Sequence, residues 1–243
     1  LTGWWKDFAG ATYNGSSGSR WAGSTSAGAS GGRNIESSPN TGGLSAPSIG
    51  SQDGHGTAVF DGTNSWLDNG VTPIAASSLI STTAFTVLML IKTPASLPAA
   101  GANARNEKQL LQFGNGQFGI SMSSSGFRAY TLNTAQSAWF ETAQVACSAS
   151  TPYLVAVTFD SSTALRISLN GGAQTSVGSV NSIGGTMATP PGYMEIGRDT
   201  INGGKTAFTL LELIIAQSTF STTKISEYYS YFKGKRFPTL GLP

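Results

Sequence analysis

One cysteine and one histidine are present in 243 residues. Cys147 therefore has no disulfide partner in the chain, and zinc-type Cys/His spacing is absent. Charge is scarce as well: Asp, Glu, Lys and Arg make up 11% of the residues, against about 25% in an average domain. The formal net charge is +2 and the basic residues are scattered, so no electrostatic footprint for a nucleic acid exists. No apolar run reaches the roughly 18 residues of a membrane-spanning helix. The longest, around Phe85 to Ile91, has the length of a strand, and membrane insertion is not expected. The chain opens on Leu1 rather than Met, which reads as a processed product or a fragment, with any targeting segment outside it.

What fills the chain instead is glycine (31 residues), serine, threonine and alanine, with 39% hydrophobic and 10% aromatic residues. That is too apolar for disorder and suits short strands joined by many turns. All-β sandwiches of about 200–250 residues commonly form one domain, so a single domain over 1–243 is expected. Residues 1–56 read as a loop-rich N-terminal arm, pinned onto that domain by Trp4, Trp5, Tyr13 and Trp21. From Gly56 onward the pattern is of strands: 57–61, 65–68, 85–92, 110–113, 118–122, 127–132, 153–160, 165–170, 193–198 and 208–216. The run FTVLMLIK is apolar on both faces, and Asn170-Gly171 signals a hairpin. One helix follows. Ser221 caps it, Phe220 staples onto Ile225, Ile225, Tyr228, Tyr229 and Phe232 form its apolar stripe, and Gly234 ends it.

Three stretches in order carry a resemblance. The first is Leu1-Thr2-Gly3-Trp4-Trp5 with Ser19-Arg20-Trp21-Ala22. The second is Gly56-Thr57-Ala58-Val59-Phe60-Asp61-Gly62-Thr63-Asn64-Ser65-Trp66-Leu67. The third is the closing set YLVAVTFD, LRISLNG, IGRD and Leu211-Glu212-Leu213-Ile214-Ile215 before the helix. Together they resemble the concanavalin A-like (laminin G-like) jelly roll of bacterial surface proteins and phage structural proteins. The resemblance spans nearly the whole chain. It implies an all-β fold, a sandwich of two antiparallel sheets with a short C-terminal helix. The same fold hosts enzymes, lectins and inert modules.

Catalysis finds little support in the residues. Glucanases of this fold carry an E-x-D-x-E strand, and no E-x-[DE] triplet occurs here. The nearest pair, Glu195 and Asp199, would stand roughly 13 Å apart on an ideal strand, beyond the roughly 5–9.5 Å of glycosidase carboxylates. Gly54-His55-Gly56-Thr57 and Gly184-Gly185-Thr186-Met187-Ala188-Thr189-Pro190 resemble subtilase motifs. Those motifs open helices in subtilases, whereas here a strand follows one and Pro190-Pro191 the other. The expectation is a protein that is not an enzyme.

Two binding chemistries remain. Laminin G-like relatives hold calcium on loops, and Asp61, Asp68, Asp199 and Asn202 are the candidate ligands at strand ends. Turn formation is the competing role for each. Cell-surface glycans are the other ligand, gripped by aromatic faces and planar polar groups. Trp66, Trp139, Tyr130, Arg128 and Asn133 are the candidates, with burial in the core as the competing role of the aromatics. The expected product is a non-catalytic module of a virion (decoration, tail or fibre) or of a bacterial surface protein. Its partners would be other virion or surface-protein chains, and its place the virion or the cell exterior. A polysaccharide-degrading enzyme of the same fold and a ligand-free assembly protein are the alternatives.

Overall fold

The computed structural model describes residues 3–5, 12–14, 18–22, 34–36, 47–68, 79–114, 116–133, 139–161, 164–176, 186–190, 194–198 and 203–243, with backbone alone for those before 47 and for Asp68 and Ser176. Among the described residues seventeen strands run in chain order: β1 (Gly3–Trp5), β2 (Thr12–Asn14), β3 (Gly18–Ala22), β4 (Asn34–Glu36), β5 (Ser48–Gln52), β6 (His55–Asp61), β7 (Leu67–Asp68), β8 (Ala84–Lys92), β9 (Lys108–Phe113), β10 (Phe118–Ser123), β11 (Gly126–Leu132), β12 (Trp139–Glu141), β13 (Pro152–Asp160), β14 (Ala164–Leu169), β15 (Thr175–Ser176), β16 (Met194–Ile196) and β17 (Ala207–Ala216). Helix α1 (Thr222–Tyr231) closes the set.

These strands form two antiparallel sheets. The first has the order β15-β14-β13-β8-β17-β6-β5, with β1 added to β17. The second has the order β12-β11-β10-β9-β16-β7-β4-β3-β2. The molecule is thus an all-β sandwich with one short C-terminal helix, as its residue pattern implies. Alternation sorts each strand. Phe85, Val87, Met89 and Ile91 of β8 face the second sheet and pack with Phe113, Phe118, Ile120 and Met122. Phe85 and Phe118 meet in a T-shaped pair at 4.9 Å between ring centroids. Leu88 and Leu90 point the other way, into a second apolar layer with Leu154, Leu211, Ile214, Ile225, Phe232 and Phe237. This is why FTVLMLIK has no polar face.

Helix α1 is the lid of that second layer. The Ser221 side chain accepts a hydrogen bond from Lys224 N, while Ile225 and Phe232 are fully buried. Phe220 packs against the apolar layer that holds Ile225 and also stacks on Tyr228 at 5.8 Å, with its N tied to Thr86 Oγ1. One local expectation changes. Gly234 does not end the helix: a wider π turn continues through Phe232–Arg236 and closes where Phe237 N donates to Phe232 O.

The segment read as a loop-rich arm also contributes strands. The backbone of β1 pairs with β17, and β5 with β6. Ser48–Gln52 is SIGSQ, too polar to show apolar alternation, so its pairing alone makes it a strand. The expected strand 65–68 shortens to β7 because Ser65 is occupied elsewhere. Asp61 Oδ1 accepts from the backbone of Thr63, Asn64 and Ser65 and from Ser65 Oγ. Burial alone would raise the Asp61 pKa, but the N–H donors of Asn64, Thr63 and Ser65 and the Ser65 hydroxyl outweigh it and hold the carboxyl well below the usual range. Asp61→Ala is therefore expected to cost on the order of 1 kcal/mol at neutral pH, comparable with a lost cap. A depressed folded-state pKa gives stability that is present above the unfolded value near 3.9 and lost as pH falls below it. Urea unfolding should thus show a gap between the two proteins that is constant at pH 5 and 7 and shrinks below about pH 3.9.

Candidate functional site

The outer face of the first sheet is largely occupied by α1, whereas that of the second carries polar and aromatic groups. Residues paired across neighbouring antiparallel strands share a face. One such row runs Glu195, Gln112, Gly119, Tyr130, Glu141 through β16, β9, β10, β11 and β12. Gly119 is the small member for a steric reason: a Cβ there would lie 2.5 Å from Tyr130 Oη. Its absence lets the tyrosine lie across β10 and meet Gln112 Nε2 at 3.5 Å.

Around this row lies a network of charge. Glu107, which is fully buried, takes Ser121 Oγ at 2.8 Å, Arg128 Nη2 at 3.3 Å and Gln144 Nε2 at 3.5 Å. Arg128 also reaches Glu141 at 3.6 Å and donates to Gln144 Oε1 at 3.3 Å, while its Nε is buried with no hydrogen-bond partner among the described residues. Glu141 Oε1 accepts from Ala104 N at 3.0 Å. That bond, with the two that Gln109 Nε2 donates to Ala104 O and Glu107 O, holds a single 3-10 turn (Ala104–Asn106) over the sheet. The turn carries Arg105, whose guanidinium lies 3.6 Å from the centroid of Trp139. Tyr130 meets Trp139 edge to face at 5.7 Å. Burial, and then the charge of Glu107, push the nearby Cys147 thiol up to about 11, so it is protonated at neutral pH and a poor nucleophile.

Tyr130, Trp139 and Arg128 thus come together as one cluster. Tyr130 is itself fully buried, with Trp139 standing half-buried beside it. Asn133 follows on the same strand end, where it bridges to Met187. Trp66 sits at the far end of the face. It is buried and covered by Arg198 at 4.3 Å, which in turn pairs with Glu195 at 3.0 Å. Four strand spacings separate β7 from β11, so the two aromatic positions stand about 19 Å apart. Glu107, Glu141, Arg105, Gln144 and Arg198 complete the face but are invisible in the sequence, because sheet register and a loop bring them there. Of the calcium candidates, Asp61 has one carboxylate oxygen committed to its turn, Asp68 is in register with Glu195 on β7, and Asp199 and Asn202 lie outside the described residues. Among the described residues no group of three or more metal-ligating side chains forms. His55 is packed edge-on against Phe237, and Thr186 precedes the Met187 bridge without a helix.

No family model matches the chain, and no curated protein matches it by sequence. Solved structures do match in fold. Trypanosoma rangeli sialidase in complex with sialic acid superposes with a TM-score of 0.62 at 12% identity, over 96% of this chain and 33% of the sialidase. Domain 4 of AbnA, a GH43 extracellular arabinanase from Geobacillus stearothermophilus in complex with arabinotriose, gives 0.55 at 13% identity, over 75% of this chain and 80% of that domain. The ligand-binding domain of botulinum neurotoxin serotype D, in complex with N-acetylneuraminic acid, gives 0.54 at 9% identity, over 86% and 48%. This chain therefore spans about a third of the length of the sialidase it matches. At such identities the likeness is one of fold, a β-sandwich shared by parts of enzymes and by binding domains.

Proposed function

We infer that this chain is a non-catalytic carbohydrate-binding module that uses the outer face of its second sheet. The observation that carries this is the half-buried Arg105–Trp139 stack beside Tyr130, set over polar groups that the inter-sheet core does not need. An aromatic ring flanked by planar charged groups suits the apolar face and the hydroxyls of a sugar. Trp139 on β12 stands five strand spacings from Trp66, about 24 Å, which suits an oligosaccharide chain better than a single ring. The sugars bound by the three neighbours of shared fold support the same reading.

Catalysis is disfavoured by how the carboxylates are used. All four oxygens of Glu107 and Glu141 are engaged by Arg128, Ser121, Gln144 or Ala104 N. A glycosidase pair must instead face the glycosidic bond. In its setting, we place the module as a laminin G-like adhesion or decoration component of a virion or bacterial surface protein, on the cell exterior or the particle. Low charge and richness in small residues support that placement.

A glycan array followed by calorimetry tests the reading. Trp139→Ala is expected to weaken the best glycan at least about tenfold, equivalent to about 1.4 kcal/mol, with an unchanged melting temperature. Arabinan and sialosides should release no sugar. Failure of every glycan to bind, or turnover that Glu141→Gln abolishes, would contradict it.

A further inference from the structure

The outer face of the first sheet holds a cleft beside the C-terminal lid. It has a volume of about 200 Å3 and opens over β5, β6, β17 and the end of β8. The floor follows the sheet register: Lys92 pairs with Thr209, Thr209 with Val59, and Thr57 with Gly50. Leu211 and Leu240 line its apolar side.

Three polar groups line this cleft without a protein partner among the described residues. Thr57 is 3% exposed, yet its hydroxyl meets no hydrogen-bonding group among the described residues, and neither does that of Thr209. Lys92 is exposed and has no carboxylate partner among the described residues. Buried polar groups ordinarily find a protein partner or an ordered water, so a nearly buried hydroxyl opening on a cavity marks a place for an outside oxygen. Gly50 keeps it open: a Cβ there would stand 2.7 Å from Thr57 Oγ1 and 3.1 Å from Val59 Cγ2. The volume lies below the roughly 300 Å3 at which drug-sized pockets begin, which leaves room for one sugar ring.

We propose that this cleft binds an acidic monosaccharide of the uronic acid class. Lys92 Nζ meets the carboxylate, the hydroxyls of Thr57 and Thr209 meet ring hydroxyls, and Leu211 and Leu240 meet the apolar ring face. The site is separate from the one on the second sheet and does not rest on it.

Calorimetry on the full chain with glucuronate and with glucose tests the proposal. Glucuronate should bind and weaken as salt rises, since one exposed charge pair carries the selectivity, and glucose should bind at least tenfold more weakly. Lys92→Gln should reduce glucuronate affinity at least tenfold while leaving the melting temperature unchanged, because Lys92 is exposed. Thr209→Val should reduce it severalfold. Trp139→Ala should leave it unaltered, which separates this site from the one on the second sheet. The proposal is overturned by no glucuronate binding at millimolar concentration, by equal affinity for glucose, by an unaffected Lys92→Gln variant, or by loss of glucuronate binding in Trp139→Ala.

Discussion

Arg236→Met is expected to destabilise the protein by about 3–5 kcal/mol. Arg236 Nε lies 2.6 Å from Glu212 Oε1, and the side chains are 12% and 1% exposed. Glu212 sits on β17 under the C-terminal segment, so removing the guanidinium takes the charged partner from a carboxylate that is 1% exposed. Arg236 Nη1 also lies 3.1 Å from His55 Nε2, which joins the wide turn after α1 to the β5–β6 hairpin. Asp53 strengthens the same junction through Thr239, from whose backbone N and hydroxyl it accepts. Breaking a buried pair costs more than replacing it whole. The double variant Glu212→Leu/Arg236→Met should therefore regain most of the loss in a denaturant titration. If the single variant unfolds at the wild-type midpoint, the ion pair does not hold the segment.

Phe232→Ala is the second large effect, with an expected loss of about 3–5 kcal/mol. Phe232 is 1% exposed and packs with Leu88, Leu90, Ile214 and Phe237. That is a substantial part of a typical total of about 5–15 kcal/mol. An isolated helix as short as α1 is marginal in water, so its stability must come from this contact. Removal of everything after Thr219 would strip Ile225, Phe232, Phe237 and Leu242 from the same layer, and that chain is expected to aggregate or remain unfolded. A helix that served only as an assembly element would give the opposite result: Phe232→Ala would melt like the parent and lose only self-association.

The lid was readable in the residues because its signals are local. Ser221 stands one position before an apolar stripe of helical period, and that stripe needs a surface to cover. The two-faced run Phe85–Ile91 supplied such a surface. The wide turn through Gly234 was not readable, because it depends on where Arg236 must reach to meet Glu212, 24 residues earlier. For the same reason only part of the candidate site was visible. Arg128 and Tyr130 alternate on one strand, which places them on one face, and Trp139 on the paired strand joins them. Glu107 and Gln144 arrive from segments outside the strands, and only the fold puts their side chains against Arg128. Trp66 lies beneath Arg198, and its distance from Trp139 depends on strand order, which no local pattern reveals.

The proposed role requires the second sheet's outer face to hold a glycan that the chain does not cleave. Chemical-shift mapping of the labelled protein, titrated with the best glycan from an array, tests it most directly. Shifts are expected to concentrate on Trp139, Arg105, Arg128 and Glu141, with the glycan intact after long incubation. Shifts confined to α1 and the C-terminal segment, or cleavage of the glycan in the tube, would contradict it.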